Sequence, residues 1–414
     1  MIRFASGRSE QNQKDYAAQL LGTVLGVALI FGAIVQALAA PAVELLGIKS
    51  GMEAIRWTLL SSSVHGLIEL PLVWLRFRDY PAVFFWFSIL RSVAHVFATW
   101  VALVLHQGVE GVIMLNAWVA LGFAALLVGW MIWDTGVSWS GAVLRNVFVY
   151  SLPLVGGGLA LFSIATLNRW FLSGAVTPAD IGLFGLALRL AMAASLIAVP
   201  LIMWWYPKRI AALASAEGRV QYAQVWGYGM ATILLPSMGL ALLGPVIVHL
   251  IFPPSYNGAL AYLPGAILAV AVSMVAQFSN GGVHARGDGM GVLAVDAIGA
   301  STSVAMLFLL VPTYGVHGAI GSMVAAHAVR AILFHVYGQR VVRVEHPMLG
   351  ISLAAALGVM AVWLAPDETA LVARVLWAGV CGVVMIGILH WSGAAPVPSV
   401  AVDYARRTVA RGRT

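Results

Sequence analysis

The chain has 414 residues, of which 61% are hydrophobic and only 9% are charged, with a formal net charge of +7. A typical soluble domain is about 45–50% apolar, glycine included, and about 25% charged. This composition excludes a water-soluble enzyme, a disordered chain and a nucleic-acid-binding protein, and it predicts a polytopic membrane protein.

Apolar runs follow one another along almost the whole sequence. A helix needs about 20 such residues to cross the hydrocarbon layer. Twelve runs meet this length, at approximately 16–40, 55–77, 81–106, 111–133, 146–173, 181–206, 225–252, 259–279, 290–312, 316–338, 348–365 and 370–391. The sequence therefore predicts an all-α polytopic membrane protein with about 12 transmembrane helices.

The loops between these runs differ in basic residues, which stay on the cytoplasmic side when loops are short. Most of the 23 lysines and arginines lie on the side of the N-terminus: Arg3, Arg8, Lys14, Arg76, Arg78, Arg145, Lys208, Arg209, Arg219, Arg286, Arg340, Arg343, Arg406, Arg407, Arg411 and Arg413. The opposite side carries Lys49, Arg56 and Arg374. We therefore expect a multi-pass protein with both termini in the cytoplasm.

Two further features accompany the predicted topology. The longest connecting loop, 208–224, is cytoplasmic, and its part 211–219 is predicted to form a short amphipathic helix. Seven tryptophans at the ends of runs are typical of interfacial anchors: Trp57, Trp100, Trp130, Trp133, Trp204, Trp205 and Trp391.

Signatures of catalysis and of cofactor binding are absent from the sequence. It contains no GxSxG elbow, no Walker A loop and no HExxH motif. The one cysteine, Cys381, lies in an apolar run, and the ten histidines are scattered singly. We expect no catalytic residues, no metal site and no cofactor.

Ionisable residues at membrane depth are the most informative part of the sequence. Each costs about 2.5–3.5 kcal/mol at a helix centre, so each faces a partner or a hydrated cavity. For Arg91 and Arg189 we expect a place in a cavity wall or in an ion pair. Arg169 lies near a helix end, where snorkelling to the headgroups is an equal alternative.

Two carboxylates and two histidines lie near these arginines in the sequence. Glu69 and Asp296 are within spans, where they either line a cavity or neutralise the arginines. His65 and Glu69 are one helical turn apart, as are Arg91 and His95, so each pair shares a helix face.

Two long stretches, Leu144–Pro207 and Phe278–Ala331, carry a recognisable pattern of small, aromatic and turn residues. The first contains a YSLP element at Tyr150–Pro153, an Asn168-Arg169 pair and a later helix with matching residues. Those matching residues are Gly182, Phe184, Ala187 and Leu190. The second stretch contains an NG turn at Asn280–Gly289 and a P-x-YG-x-x-GA turn at Pro312–Ala319.

This pattern resembles the bacterial polysaccharide transporters, the O-antigen and exopolysaccharide flippases of the multidrug/oligosaccharidyl-lipid/polysaccharide superfamily. The family has an acid–Arg pair where this sequence has Asn168-Arg169, so the carboxylate is missing. The resemblance implies two helical bundles around a central cavity in the bacterial inner membrane. It also implies alternating access without ATP and without enzymatic activity.

The resemblance further implies an undecaprenyl-pyrophosphate-linked glycan as the substrate. Its pyrophosphate needs cationic partners, and arginine matches phosphate with two parallel hydrogen bonds. The candidate substrate-binding residues are therefore Arg91, Arg169 and Arg189. Further candidates for the cavity are the acids Glu69 and Asp296, together with His95 and Asn168. Membrane lipids are expected contacts. The implied protein partners are a polysaccharide polymerase and the export machinery.

The same resemblance sets the expected domain organisation. It comprises a cytoplasmic N-terminal segment (1–15), an N-terminal lobe of four helices (16–133), a linker (134–145), a C-terminal lobe of six helices (146–338), a terminal helix pair (339–391) and a basic cytoplasmic tail (392–414). Family members have six helices in the first lobe, and Met1–Phe4 resembles the end of the second of these. We therefore expect two further spans to be encoded upstream of Met1.

Three other functions are compatible with parts of the sequence. A membrane glycan polymerase or ligase usually has a large periplasmic loop with paired Arg or His residues, whereas the outward loops are short here. A cation-coupled drug or metabolite exporter of the same superfamily favours acidic residues in the first lobe, where the spans offer Glu69. A scaffold is the weakest alternative, because membrane-depth arginines cost energy that a scaffold need not spend.

Overall fold

The computed structural model describes residues 10–45, 51–78, 80–206, 208–286, 289–366 and 371–395. Most of the predicted N-terminal segment, including Met1–Phe4, and most of the predicted basic tail lie outside these ranges. The described residues are helical with short connections and contain no strand. The predicted all-α polytopic membrane fold is confirmed.

The chain divides into two compact units between Ser151 and Leu152. The first unit contains four complete helices and the beginning of a fifth. These are α1 (Glu10–Leu45), α2 (Met52–Phe77), α3 (Pro81–Val104), α4 (Gly108–Thr135) and the first part of α5 (Gly141–Thr166).

Apolar packing between α2 and α4 forms the centre of the first unit. Leu72 and Leu75 of α2 are almost fully buried against Phe123 and Leu127 of α4. One end of the unit is closed by polar contacts. The Asp134 carboxylate accepts a hydrogen bond from Trp74 Nε1 at 2.8 Å and lies 3.1 Å from Lys14 Nζ, which ties α1, α2 and α4 together.

The second unit contains the rest of α5 and ten further α-helices among the described residues. They are α6 (Asn168–Ser173), α7 (Pro178–Ser195), α8 (Val199–Trp205), α9 (Arg209–Ala212), α10 (Ala216–Ile251), α11 (Leu263–Ser279), α12 (Gly281–Ala285), α13 (Met290–Val341), α14 (Met348–Trp363) and α15 (Leu371–Trp391). Two 3₁₀ turns, Leu196–Ala198 and Pro254–Ala261, complete it.

Local sequence explains where several of these helices begin. Thr177 caps α7 in a capping box with Asp180, in which each side chain bonds the other residue's backbone N–H. Pro178 occupies the first position of that helix, where its missing N–H has no partner to lose. Ser215 caps α10 by accepting a hydrogen bond from the Gly218 N–H at 3.0 Å.

Two apolar clusters hold the second unit together. In one, Phe184 of α7 packs with Leu263 of α11 and with Leu307 and Ile320 of α13. In the other, Leu242 of α10 packs against the terminal helices α14 and α15 through residues that include Ala361 and Met385. Helix α10 therefore joins the terminal pair to the rest of the unit.

The 52 residues of α13 are two helices joined at a kink. A straight helix of that length would be about 78 Å long, more than twice the hydrocarbon thickness. The chain turns at Gly315, whose φ of 53° and ψ of −124° are accessible essentially only to glycine. This kink falls inside the turn predicted at Pro312–Ala319.

Ten described helical segments are long and apolar enough to cross a membrane. The two arms of α13 correspond to the predicted spans 290–312 and 316–338, and the 16-residue α14 corresponds to 348–365. Within the described ranges, every predicted span thus has a helical counterpart. The chain is a multi-pass membrane protein.

Two local predictions were wrong. The segment 211–219 is not one amphipathic helix, because α9 ends at Ala212 and the Ser215 cap starts α10 at Ala216. Helix α10 therefore begins nine residues earlier than the predicted span at 225. Trp205 is not an interfacial anchor, since it is buried beside Leu213 and Tyr222.

Candidate functional site

Polar side chains at membrane depth meet in the first unit. Arg91 lies about 15 Å along α3, and Glu69 lies about 12 Å from the end of α2. The Nη1 atom of Arg91 is 3.4 Å from Oε1 of Glu69, and Nε2 of His65 is 3.8 Å from the same oxygen. The three sequence-predicted residues form one cluster whose side chains are partly exposed.

A second polar group lies between α3 and α4. His95 Nδ1 is 2.6 Å from Asn116 Oδ1, and Asn116 Nδ2 donates to Thr99 Oγ1 at 3.0 Å. Because the amide oxygen of Asn116 accepts, His95 Nδ1 carries the proton in this arrangement. Sequence reasoning singled out His95 but missed Thr99 and Asn116. Asn116 is an uncharged amide inside an apolar run, and that was the available signal.

Two arginines of the second unit are exposed and lack polar partners. Arg189 lies about 17 Å from the first residue of α7, near the middle of the span 178–205. Arg169 lies near the end of the span 141–173. Of the residues that the structure describes, none forms a hydrogen bond or an ion pair with either side chain.

Asn168, the neighbour of Arg169, is an interior residue. Its side chain is fully buried, and Nδ2 lies 3.1 Å from the sulfur of Met323 on α13. The amide oxygen has no hydrogen-bond partner among the described atoms. A carboxylate at position 168 would be a buried charge with no cation in contact, and burying an unpaired charge costs free energy. The uncharged amide of Asn168 avoids this cost.

Two buried charges of the second unit, Asp296 and Arg330, neutralise each other. Asp296 Oδ1 lies 2.9 Å from both Nε and Nη2 of Arg330, and both side chains are almost fully buried. His327 Nδ1 is 3.0 Å from Arg330 Nη1, and as the acceptor it is unprotonated at that nitrogen. Asp296 therefore neutralises Arg330, and neither Arg91 nor Arg189.

Small residues make room for this ion pair. A Cβ on Gly299 would overlap the Arg330 side chain, and one on Gly157 of α5 would lie 3.6 Å from Asp296 Oδ2. The pair thus joins both arms of α13 beneath α5. Sequence reasoning missed Arg330 and His327, although Asp296 and Arg330 are the charged residues deep within the apolar span of α13.

The arrangement separates two kinds of arginine. Arg330 has a carboxylate partner and is buried, whereas Arg169 and Arg189 present free guanidinium groups that match anionic oxygen pairs. In the part of the chain that the structure describes, no group of three His, Cys, Asp or Glu side chains is close enough to hold a metal ion. The guanidinium groups of Arg169 and Arg189 have the chemistry to bind an anion.

The structure of the chain is similar to solved structures of known transporters. No protein-family profile and no curated protein matches the sequence. The structure is similar to that of the lipid II flippase MurJ in an inward closed conformation. The TM-score is 0.71 at 13% identity, over 94% of this chain and 86% of that one.

Two multidrug transporters have a related structure. An outward-facing multidrug resistance MATE family transporter of the MOP superfamily matches with a TM-score of 0.57 at 17% identity, over 80% of this chain and 79% of that one. The Vibrio cholerae MATE transporter VcmN in a bent form matches with a TM-score of 0.57 at 15% identity, over 80% and 81%. The chain therefore has the helical fold that the MurJ flippase and these MATE transporters share.

Proposed function

We propose that this protein flips lipid-linked oligosaccharide units across the bacterial inner membrane by alternating access, for the synthesis of O-antigen, exopolysaccharide or capsule. The observation that carries the proposal is the free guanidinium of Arg189 near the middle of a membrane span. Arg169 and the partly exposed Arg91 are the other candidate substrate-binding residues. Both termini are cytoplasmic in this proposal.

The cost of Arg189 supports an anionic substrate. An arginine at a helix centre costs about 2.5–3.5 kcal/mol on insertion scales. Arg330 offsets this cost with Asp296, but no described residue does so for Arg189. A pyrophosphate would offset it when bound, since two parallel N–H···O bonds fit its oxygens.

The comparisons support a lipid-linked cargo over a free one. MurJ is described as a flippase of lipid II, and its structure is more similar to this chain than those of the two MATE transporters reported above. The O-antigen or exopolysaccharide class of the glycan rests on the resemblance of Leu144–Pro207 and Phe278–Ala331 to that family.

A drug or metabolite exporter is the second candidate, favoured by the similarity to MATE transporters and by Glu69 within a span of the first unit. A cation-coupled exporter needs a carboxylate free to exchange its cation. Glu69 lies instead within 3.4 Å of the Arg91 guanidinium, which already supplies a positive charge. This contact favours the flippase.

Transport by the purified full chain in proteoliposomes tests the proposal. One set of vesicles contains an undecaprenyl-pyrophosphate-linked oligosaccharide with a fluorescent sugar, and a second set is given a cationic dye under an imposed pH or sodium gradient. We expect the protein to expose the inner-leaflet sugar to a membrane-impermeant reductant. Dye transport without sugar exposure would reject the flippase in favour of the exporter.

A further inference from the structure

A cavity of about 640 Å³ lies at one end of the second unit. Its wall is formed by the first three turns of α10, by the connection between α13 and α14, and by Gly393 beyond α15. Its polar side chains are Arg219, Gln224, Arg343, Glu345 and His346. Its volume is within the range of small-molecule sites, about 300–1,000 Å³.

The position of the cavity along the membrane normal follows from the helix ends. Helix α10 begins at Ala216, α13 ends at Val341, α14 begins at Met348 and α15 ends at Trp391. The side chain of Trp391 is 81% exposed, as in an interfacial anchor. The cavity therefore lies at the level of the lipid headgroups.

The charges around the cavity favour an anion. Within the described ranges, neither Arg219 nor Arg343 forms an ion pair, and the Arg343 side chain is exposed toward solvent. The residues at the starts of α10 and α14, Ala216 and Pro347, also line the cavity, so both helices direct the positive end of their dipoles toward it. Glu345 is the one acidic group in this wall.

We propose that this cavity binds the phosphate headgroup of an anionic membrane phospholipid. The two arginines and the two helix N-termini hold the phosphate oxygens. A lipid is favoured over a soluble phosphate compound because the cavity is at headgroup level and its wall includes Val220, which is 61% exposed. Glu345 weakens the binding of the anion and so keeps the lipid exchangeable.

The test measures lipid binding to the purified full chain by native mass spectrometry. The probes are phosphatidylglycerol, the zwitterionic phosphatidylcholine and inorganic phosphate. We expect the first phosphatidylglycerol to bind about tenfold more weakly to Arg219→Gln and to Arg343→Gln. The matched control is Arg340→Gln, an exposed arginine in the last turn of α13 that does not line the cavity.

The opposite change keeps the test informative even where an arginine variant folds poorly. Glu345→Gln removes the repulsive charge, so phosphatidylglycerol should bind more tightly to it. Equal binding to the wild type, both arginine variants and the Arg340→Gln control would overturn the proposal. Equal affinity for phosphatidylcholine and phosphatidylglycerol would also overturn the proposal. Equal affinity for inorganic phosphate and phosphatidylglycerol would overturn it in favour of a soluble phosphate ligand.

Discussion

Asp296 and Arg330 form an ion pair of 2.9 Å although they lie 34 residues apart on opposite arms of the kinked helix α13. Both side chains are almost fully buried. The pair holds the two arms together. Because the Arg330 guanidinium is already paired with Asp296, it is not a free cation. It is a stabilising element of the second unit, in contrast to the unpaired Arg189.

Removing one partner of this pair should destabilise the protein. Asp296→Ala leaves the Arg330 charge buried without a carboxylate, a change that typically costs about 3–5 kcal/mol. The double variant Asp296→Leu/Arg330→Met removes both charges and should recover most of the loss. Thermal unfolding in detergent measures both effects. A double variant that unfolds as early as Asp296→Ala would show that the apolar replacement does not substitute for the pair.

The Glu69–Arg91 contact gives a prediction that separates the two candidate functions. Glu69→Gln removes the carboxylate and leaves Arg91 positive, so flipping of a pyrophosphate-linked lipid should persist. Arg91→Ala should slow flipping about tenfold, which corresponds to about 1.4 kcal/mol. The proteoliposome assay compares both variants at equal protein content. Loss of transport in Glu69→Gln with full activity in Arg91→Ala would favour a cation-coupled exporter.

Gly315 should resist substitution because of its backbone conformation. Its φ of 53° is strained for any residue with a Cβ, and a Cβ there would lie 3.0 Å from Cγ1 of Val176. Gly315→Ala should cost at least about 1 kcal/mol of stability. The matched control is Gly185→Ala in α7, where a Cβ meets no atom within 4 Å. Equal melting temperatures for the two variants would contradict this interpretation of the kink.

His346 should make stability depend on pH. Burial lowers the pKa of this histidine to about 4, with a smaller contribution from His335, whose ring centroid is 5.3 Å away. In the unfolded chain its pKa is about 6.5. Between these values the unfolded state binds more protons, so stability from this residue falls as the pH falls from about 6.5 to 4.

The pH dependence is measured as the melting temperature of the wild type and of His346→Gln. The variant should show a flatter profile over this interval. His249→Gln, which alters an exposed histidine near the far end of α10, serves as the control and should retain the wild-type slope. An unchanged slope in His346→Gln would show that other groups cause the acid sensitivity.

The sequence predicted the spans well because membrane helices are defined by the length of apolar runs, a property of neighbouring residues. Helical periodicity likewise placed His65 with Glu69 on one face. The pair of Asp296 and Arg330 could not be obtained in this way, since it depends on how the two arms of α13 fold back at Gly315. For the same reason, the partners of His95 appeared only once α3 and α4 were packed together.

At the beginning of α10, hydropathy alone gives the wrong helix boundary. Hydropathy places the span at 225, because the first turns of the helix contain Glu217 and Arg219. The helix extends into this polar region since Ser215 caps its N-terminus and the residues that follow favour a helix. Polarity therefore marks where the helix leaves the membrane, and the cap marks where it begins.

The most direct test of the central claim is the transport rate of two cargoes by wild type and Arg189→Ala in proteoliposomes. The cargoes are a pyrophosphate-linked polyprenyl oligosaccharide and an uncharged polyprenyl oligosaccharide, and Arg145→Ala, an exposed arginine near the start of α5, is the control. We predict that the wild type and the control prefer the charged cargo. Arg189→Ala should transport the charged cargo about tenfold more slowly than the wild type does. Its rate for the uncharged cargo should be unchanged. Equal rates for both cargoes in the wild type, or full activity of Arg189→Ala on the charged cargo, would contradict the binding of the pyrophosphate by Arg189.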